Sequence, residues 1–172
     1  SSYEESHARN NITGGYGLEY TADSRDINGC DSTNFITDSA GNKVQTMWYD
    51  YQVSVKEAPV FDTEHHIMAD RSDKIYSDEY DAYAVTNVWQ GAEHYRTNSV
   101  LWAWERTYDK SSVYWGLMTQ RPKAVWGTGV ATHDLNRLSY QIEALQKEKT
   151  DVALLYSDAT RLYDLTQVNM QY

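Results

Sequence analysis

Helical and strand-like patterns alternate along the chain, and this alternation limits the folds available to it. The predicted helices cover 44–56, 77–96 and 122–146, and the predicted strands cover 27–35, 60–63, 100–104 and 151–157. Alternation of helix and strand is typical of parallel α/β architecture. We therefore predict an α/β fold, with another helix beginning after the last strand, in 158–172.

Three residues mark the ends of the predicted helices. The residue before Pro59 is disfavoured in helical conformation, which ends the first helix. Ser77 is a favourable N-cap for the second helix. Pro122 suits the first turn of the third helix, where its missing N–H leaves no hydrogen bond unmade.

Composition excludes several classes of function. The chain has 172 residues, enough for one domain with its own core, and a formal net charge of -10, which disfavours nucleic acid as a partner. Cys30 is the only cysteine, so neither an intrachain disulfide nor a cysteine-based zinc cluster can form. No apolar run approaches the length of a membrane span.

Aromatic residues with a polar group are abundant, with 15 Tyr and 6 Trp against 2 Phe. Such residues are frequent where one side of a ring meets apolar groups and the other meets water. Sugar-binding clefts fit this description, because Trp and Tyr stack on the apolar face of a pyranose ring. An aromatic-rich core with Tyr hydroxyls at the surface fits it as well.

Charged residues follow two of the predicted strands. In "APVFDTEHHI" (58–67), Glu64, His65 and His66 follow the apolar run, and Glu105 and Arg106 follow "VLWAW". The carboxyl ends of parallel strands commonly carry functional groups, so we expect these residues to share a ligand site. Glu105 and Arg106 also fit an exposed ion pair of small energetic effect.

Two kinds of site remain open at this point. One is a catalytic carboxylate at a barrel mouth. The other is a metal site formed by Asp62, Glu64, His65 and His66. Adjacent histidines on an extended strand point in opposite directions, and the helical H-E-x-x-H pattern is absent, so the metal site is the less favoured interpretation.

Three segments in order resemble clan A glycoside hydrolases, which are (β/α)₈ barrels. "PVFDTEHHI" resembles the strand that carries their nucleophile glutamate, and "VLWAWERT" resembles the next and last barrel strand. The run "RPKAVWGTGVATHDLNRLSYQIEAL" with the following "DVALLYSDAT" resembles the end of the barrel in family 42 β-galactosidases and the start of their flavodoxin-like second domain. The resemblance covers roughly residues 45–160, and "DINGCDSTNF" would be the preceding barrel strand.

The resemblance implies a fold, an activity and site residues. The expected fold is the C-terminal portion of a (β/α)₈ TIM-type barrel (1–147) followed by the start of a flavodoxin-like α/β domain (148–172), which mediates trimerisation. The expected activity is that of a retaining β-glycosidase acting on carbohydrate without metal or cofactor. Glu64 would be the nucleophile, and the substrate-binding residues would be Trp102, Trp104, His65, Glu105 and Arg106.

The sequence departs from this family in one respect. The general acid/base glutamate of clan A follows an Asn, and no Asn-Glu pair occurs in the 172 residues. A whole barrel also needs about 250 residues. We therefore expect the chain to carry the nucleophile half of such an enzyme; the alternative is a non-catalytic carbohydrate-binding or assembly fragment.

Overall fold

A computed structural model describes residues 18–33, 46–67, 79–101 and 122–157 of the protein. The elements in chain order are α1 (Leu18–Thr21), a 3₁₀ turn (Ala22–Ser24), β1 (Asn28–Thr33), α2 (Thr46–Val55), β2 (Val60–His66), α3 (Glu79–Glu93), β3 (Arg96–Leu101), α4 (Pro122–Arg137) and α5 (Ser139–Gln146). The strands form one parallel sheet in the order β1-β2-β3. This arrangement confirms the predicted parallel α/β class.

Helix α2 lies against one face of the sheet, which we call the helix face. Its buried Tyr49 packs with Cys30 of β1 and Val60 of β2. The carboxyl end of α2 is capped from β1, because the side-chain amide of Asn28 donates to the carbonyl oxygen of Lys56 at 2.8 Å. A carbonyl at a helix end has no partner within the helix, so this bond satisfies one that would otherwise depend on water.

The main apolar core lies between α3 and α4. Its buried members are Ile67, Ala84, Val88, Ala124 and Ala131. Alanines on both helices allow the two backbones to approach closely. Trp89 and Val125, both partly buried, border this core.

The chain reverses between α3 and β3 through Tyr95. This residue has φ 68°, which is a left-handed backbone conformation. The conformation is common just after the end of a helix but unusual for a residue with a bulky side chain. Its hydroxyl donates to the carbonyl oxygen of Gln146 at 2.8 Å, and its ring packs beside Tyr49 and Val60. Contacts distant in sequence therefore hold this turn.

The predicted boundaries near this turn are wrong. The helix predicted over 77–96 ends at Glu93, and β3 begins at Arg96 rather than at residue 100. The polar run 97–99 predicts a break, yet it belongs to the strand because β2 supplies partners for its side chains. Thr97 Oγ1, for example, donates to the carbonyl oxygen of Val60 at 3.0 Å. Residues 102–104 of the predicted strand lie outside the described residues.

Strand β2 extends through His66 rather than ending at residue 63, so Glu64, His65 and His66 belong to the strand and not to a loop. The helix predicted over 44–56 is confirmed over Thr46–Val55 as α2, and the strand predicted over 27–35 is confirmed over Asn28–Thr33 as β1. Residues 34–35 and 44–45 of these predictions lie outside the described residues. The pattern over 122–146 forms two helices, α4 and α5, separated at Leu138.

The strand predicted at 151–157 is not formed. These residues adopt no regular secondary structure, and the described part of the chain offers no strand beside them. Val152 and Leu155 are 84% and 88% exposed, whereas Tyr156 packs against Tyr51 of α2 with ring centroids 4.2 Å apart. The apolar pattern favours a strand, but a strand also needs a neighbour for its backbone hydrogen bonds. The flavodoxin-like domain expected from 148 onwards stays a prediction.

Across the residues described, no helix combines the length and the apolar character needed to cross a membrane.

We predict that Asn28→Ala destabilises the protein by roughly 1–3 kcal/mol, because the part-buried carbonyl of Lys56 loses its side-chain donor at the end of α2. Besides Lys56, the Asn28 amide also donates to the carbonyl oxygen of Gln52 at 3.3 Å. Urea unfolding followed by circular dichroism measures the change. Ser54→Ala, at an exposed position of the same helix, is the control with a smaller expected effect. An unchanged unfolding midpoint for Asn28→Ala would show that the cap is not needed.

A second prediction concerns His94, which lies beside Asp50 of α2. The hydrogen bond that Nδ1–H of His94 donates to Oδ2 of Asp50, at 2.8 Å, raises the pKa of His94 above its ordinary value, and partial burial opposes this effect. A raised pKa in the folded state stabilises the protein below the unfolded value of about 6.5, and this contribution is lost as pH rises through the folded value.

We therefore expect Asp50→Asn to destabilise the protein most at about pH 5 to 6, below the ordinary pKa of histidine, and progressively less towards alkaline pH. The effect should be at most about 1 kcal/mol, because both side chains are more than a third exposed and water screens the pair. Unfolding free energies measured across this pH range provide the test. In the His94→Gln background the effect of Asp50→Asn should no longer vary with pH; a pH-independent effect with His94 present would contradict the assignment.

Candidate active site

Strand β2 contains one more residue than either neighbouring strand at the same level of the sheet. The register pairs are Cys30 with Asp62, Asp31 with Glu64, Ser99 with Asp62, and Leu101 with His65. Thr63 therefore has no counterpart in β1, and segment 62–65 is one residue longer than the part of β3 opposite it. Such a β-bulge changes the direction of the side chains after it and is frequent beside active sites.

The bulge determines which side chains of β2 point to each face. Asp62 and His65 are both fully buried on the helix face, although three positions separate them. Thr63 lies on the opposite face, which we call the open face, where a Cβ placed on Gly29 would meet its methyl carbon at 3.4 Å. Glu64 is half-buried. Because it directly precedes the inward-pointing His65, strand alternation directs Glu64 away from the helix face, at the carboxyl end of β2.

Asp62 belongs to a buried ionic contact behind the bulge. Its Oδ2 accepts a hydrogen bond from the Tyr49 hydroxyl at 2.7 Å and lies 3.8 Å from Nη1 of Arg96. The Arg96 guanidinium also lies 5.7 Å from the centre of the Tyr49 ring, within cation–π range. Its Nη2 donates to the carbonyl oxygen of Val88 at 3.0 Å. The buried cation is thus matched by a carboxylate, an aromatic face and a carbonyl.

His65 lies on the other side of the bulge in the same buried cluster. Its Nε2 is 2.5 Å from Oδ1 of Asn87, and its Nδ1 is 2.7 Å from Oγ of Ser99. Since an amide oxygen only accepts, these contacts place the ring proton on Nε2, and the Ser99 hydroxyl donates to Nδ1. Nη1 of Arg96 is 3.1 Å from Nε2 and 3.4 Å from Nδ1, so it sits against the ring.

The sequence gives only one sign of this cluster. Asp62 alternates with Val60 in an apolar run, and a charged residue at a buried strand position needs a buried partner. From the sequence, Asp62 is predicted only as a metal ligand and Arg96 only as the end of a helix, and neither Asn87 nor Ser99 is predicted as part of a site. Their contacts depend on how α3 and β3 dock on β2, which no local pattern reveals.

The remaining predicted site residues are Trp102, Trp104, Glu105 and Arg106, and all four lie outside the described residues. Leu101, which precedes them, is the register partner of His65. Their substrate-binding roles stay predictions, as does that of His65, whose ring here contacts Asn87, Arg96 and Ser99.

A metal site was the alternative for this strand end. Within 18–33, 46–67, 79–101 and 122–157, no three His, Cys, Asp or Glu side chains lie together in a way that could hold a metal ion. Asp62 and His65 are buried on the helix face, whereas strand alternation directs Glu64 away from it, and the side chain of His66 lies outside the described part. The described residues thus give no ligand set on which to build a metal mechanism.

A cavity of about 520 Å³ lies elsewhere, along α4. Its described lining comes from that helix, including Trp126, Val130 and His133, and contains no residue from a strand end. Ligands of parallel α/β folds bind at the carboxyl ends of the strands. We therefore place the candidate active site at Glu64 rather than at this cavity.

Comparison with known proteins gives one informative match. No family model and no curated protein matches the sequence. The fold is similar to that of the apo exo-carrageenase of glycoside hydrolase family 42 from Bacteroides ovatus, with a TM-score of 0.67 and 25% sequence identity. The match covers 86% of this chain and 22% of the enzyme, so the chain spans about a fifth of that protein's length. This similarity supports a fold like part of a family 42 glycoside hydrolase, and the three parallel strands are compatible with part of its TIM-type barrel.

We predict that Tyr49→Phe lowers the unfolding free energy by roughly 1–3 kcal/mol, because the buried Asp62 carboxylate loses a hydroxyl donor while the ring is retained. Urea unfolding measures the loss. Tyr140→Phe, at a position 83% exposed, is the matched control and should change stability little. Equal stability of Tyr49→Phe and the unsubstituted protein would mean that the hydroxyl is dispensable.

Proposed function

We propose that the protein is a retaining β-glycosidase of the β-galactosidase type, with Glu64 as its nucleophile. The observation that carries the proposal is the place of Glu64: a half-buried carboxylate beside a bulge, at the carboxyl end of a parallel strand. The likeness to a family 42 glycoside hydrolase supports it. The proposal therefore combines the observed position of Glu64 with the nucleophilic role that the resemblance implies for it.

In the proposed mechanism, the Glu64 carboxylate attacks the anomeric carbon as the bond to the leaving oxygen breaks. A second carboxylic acid protonates that oxygen, and then, as a base, activates the water that hydrolyses the glycosyl ester. In retaining enzymes the two carboxyl groups are about 5–5.5 Å apart. No Asn-Glu pair occurs in the sequence, so the acid/base would come from outside these 172 residues, and this chain would supply the nucleophile half.

The proposed substrate is a neutral β-galactoside, as the resemblance implies. Trp102 or Trp104 would stack on the sugar ring, and Glu105 and Arg106 would bind its hydroxyl groups or orient Glu64. Because the similar solved structure is an exo-carrageenase, carrageenan oligosaccharides are the second substrate class to assay. A homotrimer formed through the following domain remains part of the proposal.

A second candidate is a non-catalytic carbohydrate-binding or assembly role. For this chain in isolation, the absence of an Asn-Glu pair favours that role, because a barrel portion that lacks the acid/base would keep its sugar-stacking aromatics without turnover. The two candidates differ in one observable property, which is covalent reaction at Glu64.

We expect a 2-deoxy-2-fluoro-β-galactoside with a good leaving group to label the whole protein once, at Glu64. The fluorine slows hydrolysis of the glycosyl ester, so the adduct accumulates and intact mass spectrometry with peptide mapping locates it. Glu64→Gln should prevent labelling and lower kcat by roughly 10⁴-fold or more, the scale seen when a covalent nucleophile is removed.

Glu57→Gln is the matched control, because Glu57 is an exposed carboxylate just before the same strand. This variant should label and turn over like the unsubstituted protein. Binding of galactosides without labelling or turnover would overturn the enzyme proposal and support the binding role. Labelling at another carboxylate would overturn the assignment of Glu64.

A further inference from the structure

The two buried side chains that flank the bulge of β2 meet the same cation. Asp62 precedes the extra residue and His65 follows Glu64, and both face the helix face. Nη1 of Arg96 lies 3.8 Å from Oδ2 of Asp62 and 3.1 Å from Nε2 of His65. One guanidinium nitrogen thus contacts the strand on both sides of the segment that carries Glu64.

Arg96 is itself held from several directions. Its Nη2 donates to the carbonyl oxygen of Val88 at 3.0 Å, and its own backbone opens β3, opposite Val60. The side chain of Arg96 is only 6% exposed. The guanidinium of Arg96 therefore has little freedom to move, and it restricts the movement of the side chains that it contacts.

The helix next to Arg96 leaves room for its guanidinium. Gly91 of α3 faces it, and a Cβ at this position would overlap Cζ, Nε and Nη2 of Arg96. Glycine within a helix is unfavourable relative to alanine. Its presence at residue 91 is explained by the space that the buried arginine needs.

We infer that Arg96 is a positioning residue for Glu64: it attracts the Asp62 carboxylate and packs against the His65 ring, so it fixes the bulge between them, and the bulge sets the direction of the Glu64 carboxylate. The inference rests on the proposed role of Glu64 as nucleophile. Attack on an anomeric carbon demands close alignment, and a displacement of about 1 Å can lower a rate about 10²-fold. Arg96 itself faces the helix side and touches no substrate in this scheme.

Lysine cannot replace arginine in this position. The planar guanidinium presents Nη1 to the two sides of the bulge while Nη2 is bonded to α3, whereas a lysine has one nitrogen at the end of a flexible stem. Arg96→Lys keeps the charge but loses this simultaneous contact. It therefore separates the geometric role of Arg96 from its charge.

The experiment measures the inactivation rate constant with the 2-fluoro-galactoside, together with kcat and KM for an aryl galactoside, on the whole protein. We expect Arg96→Lys to lower both the inactivation rate constant and kcat about 10²-fold while KM changes little. Gly91→Ala should have the same type of effect, because its Cβ displaces the guanidinium without altering it. This variant serves as the test if Arg96→Lys does not fold.

Ala131→Gly is the control for a purely structural role. It weakens the apolar core between α3 and α4, of which Ala131 is a buried member, and leaves the polar residues around Arg96 unchanged. Its folded fraction should react with the inactivator at the rate of the unsubstituted protein. A loss of inactivation rate in Ala131→Gly equal to that in Arg96→Lys would overturn the positioning role.

The outcomes separate this inference from the proposed function. Normal labelling of Glu64 in the unsubstituted protein with unchanged rates in the Arg96 and Gly91 variants overturns the positioning role and leaves the function intact. Absence of labelling in the unsubstituted protein overturns the proposed function and this inference with it. Reduced rates in both variants, with a normal rate in Ala131→Gly, support the positioning role.

Discussion

The burial of Arg96 constrains more of this structure than any other interaction in its described part. A guanidinium taken out of water costs several kcal/mol unless charge and hydrogen bonds compensate it. Compensation comes from Asp62 on β2, from the ring of Tyr49 on α2 and from a carbonyl of α3. Because these groups belong to different elements, the sheet and its two covering helices cannot move apart without exposing an uncompensated charge.

The polar cluster and the apolar core have different roles in the fold. The core between α3 and α4 is built from alanine and branched side chains, which bury surface but tolerate small changes in position. The cluster around Arg96 has directional contacts, such as those of His65 with Asn87 and Ser99, and these specify one arrangement. Apolar packing thus supplies stability in general, whereas the cluster fixes where β2 lies relative to α3 and β3.

This division explains what could be predicted from the sequence. The alternation of helix and strand is a local property, so α2, the start of β2 and the parallel α/β class could be predicted from apolar spacing. The beginning of β3 could not, because Arg96 and Ser99 are polar residues that become buried only through partners elsewhere in the chain. The bulge at Thr63 could not be predicted either, since an extra residue exists only relative to the register of neighbouring strands. The position of Glu64 at a strand end was predictable, but its direction depends on that bulge.

The two faces of the sheet differ in how they are covered within the described part of the chain. Parallel sheets are normally covered on both faces, and here α2 and α3 cover one of them. On the other face Thr63 is exposed and Phe61 is only partly buried. A closed barrel would enclose this open face, and the side chains of β2 that point away from the helices would then line its interior. Glu64 is directed to that side, while Asp62, His65 and Arg96 remain behind the strand. The Glu64 carboxylate, which would act on a substrate, and the Arg96 guanidinium, which contacts the strand from behind, would therefore lie on opposite sides of the sheet.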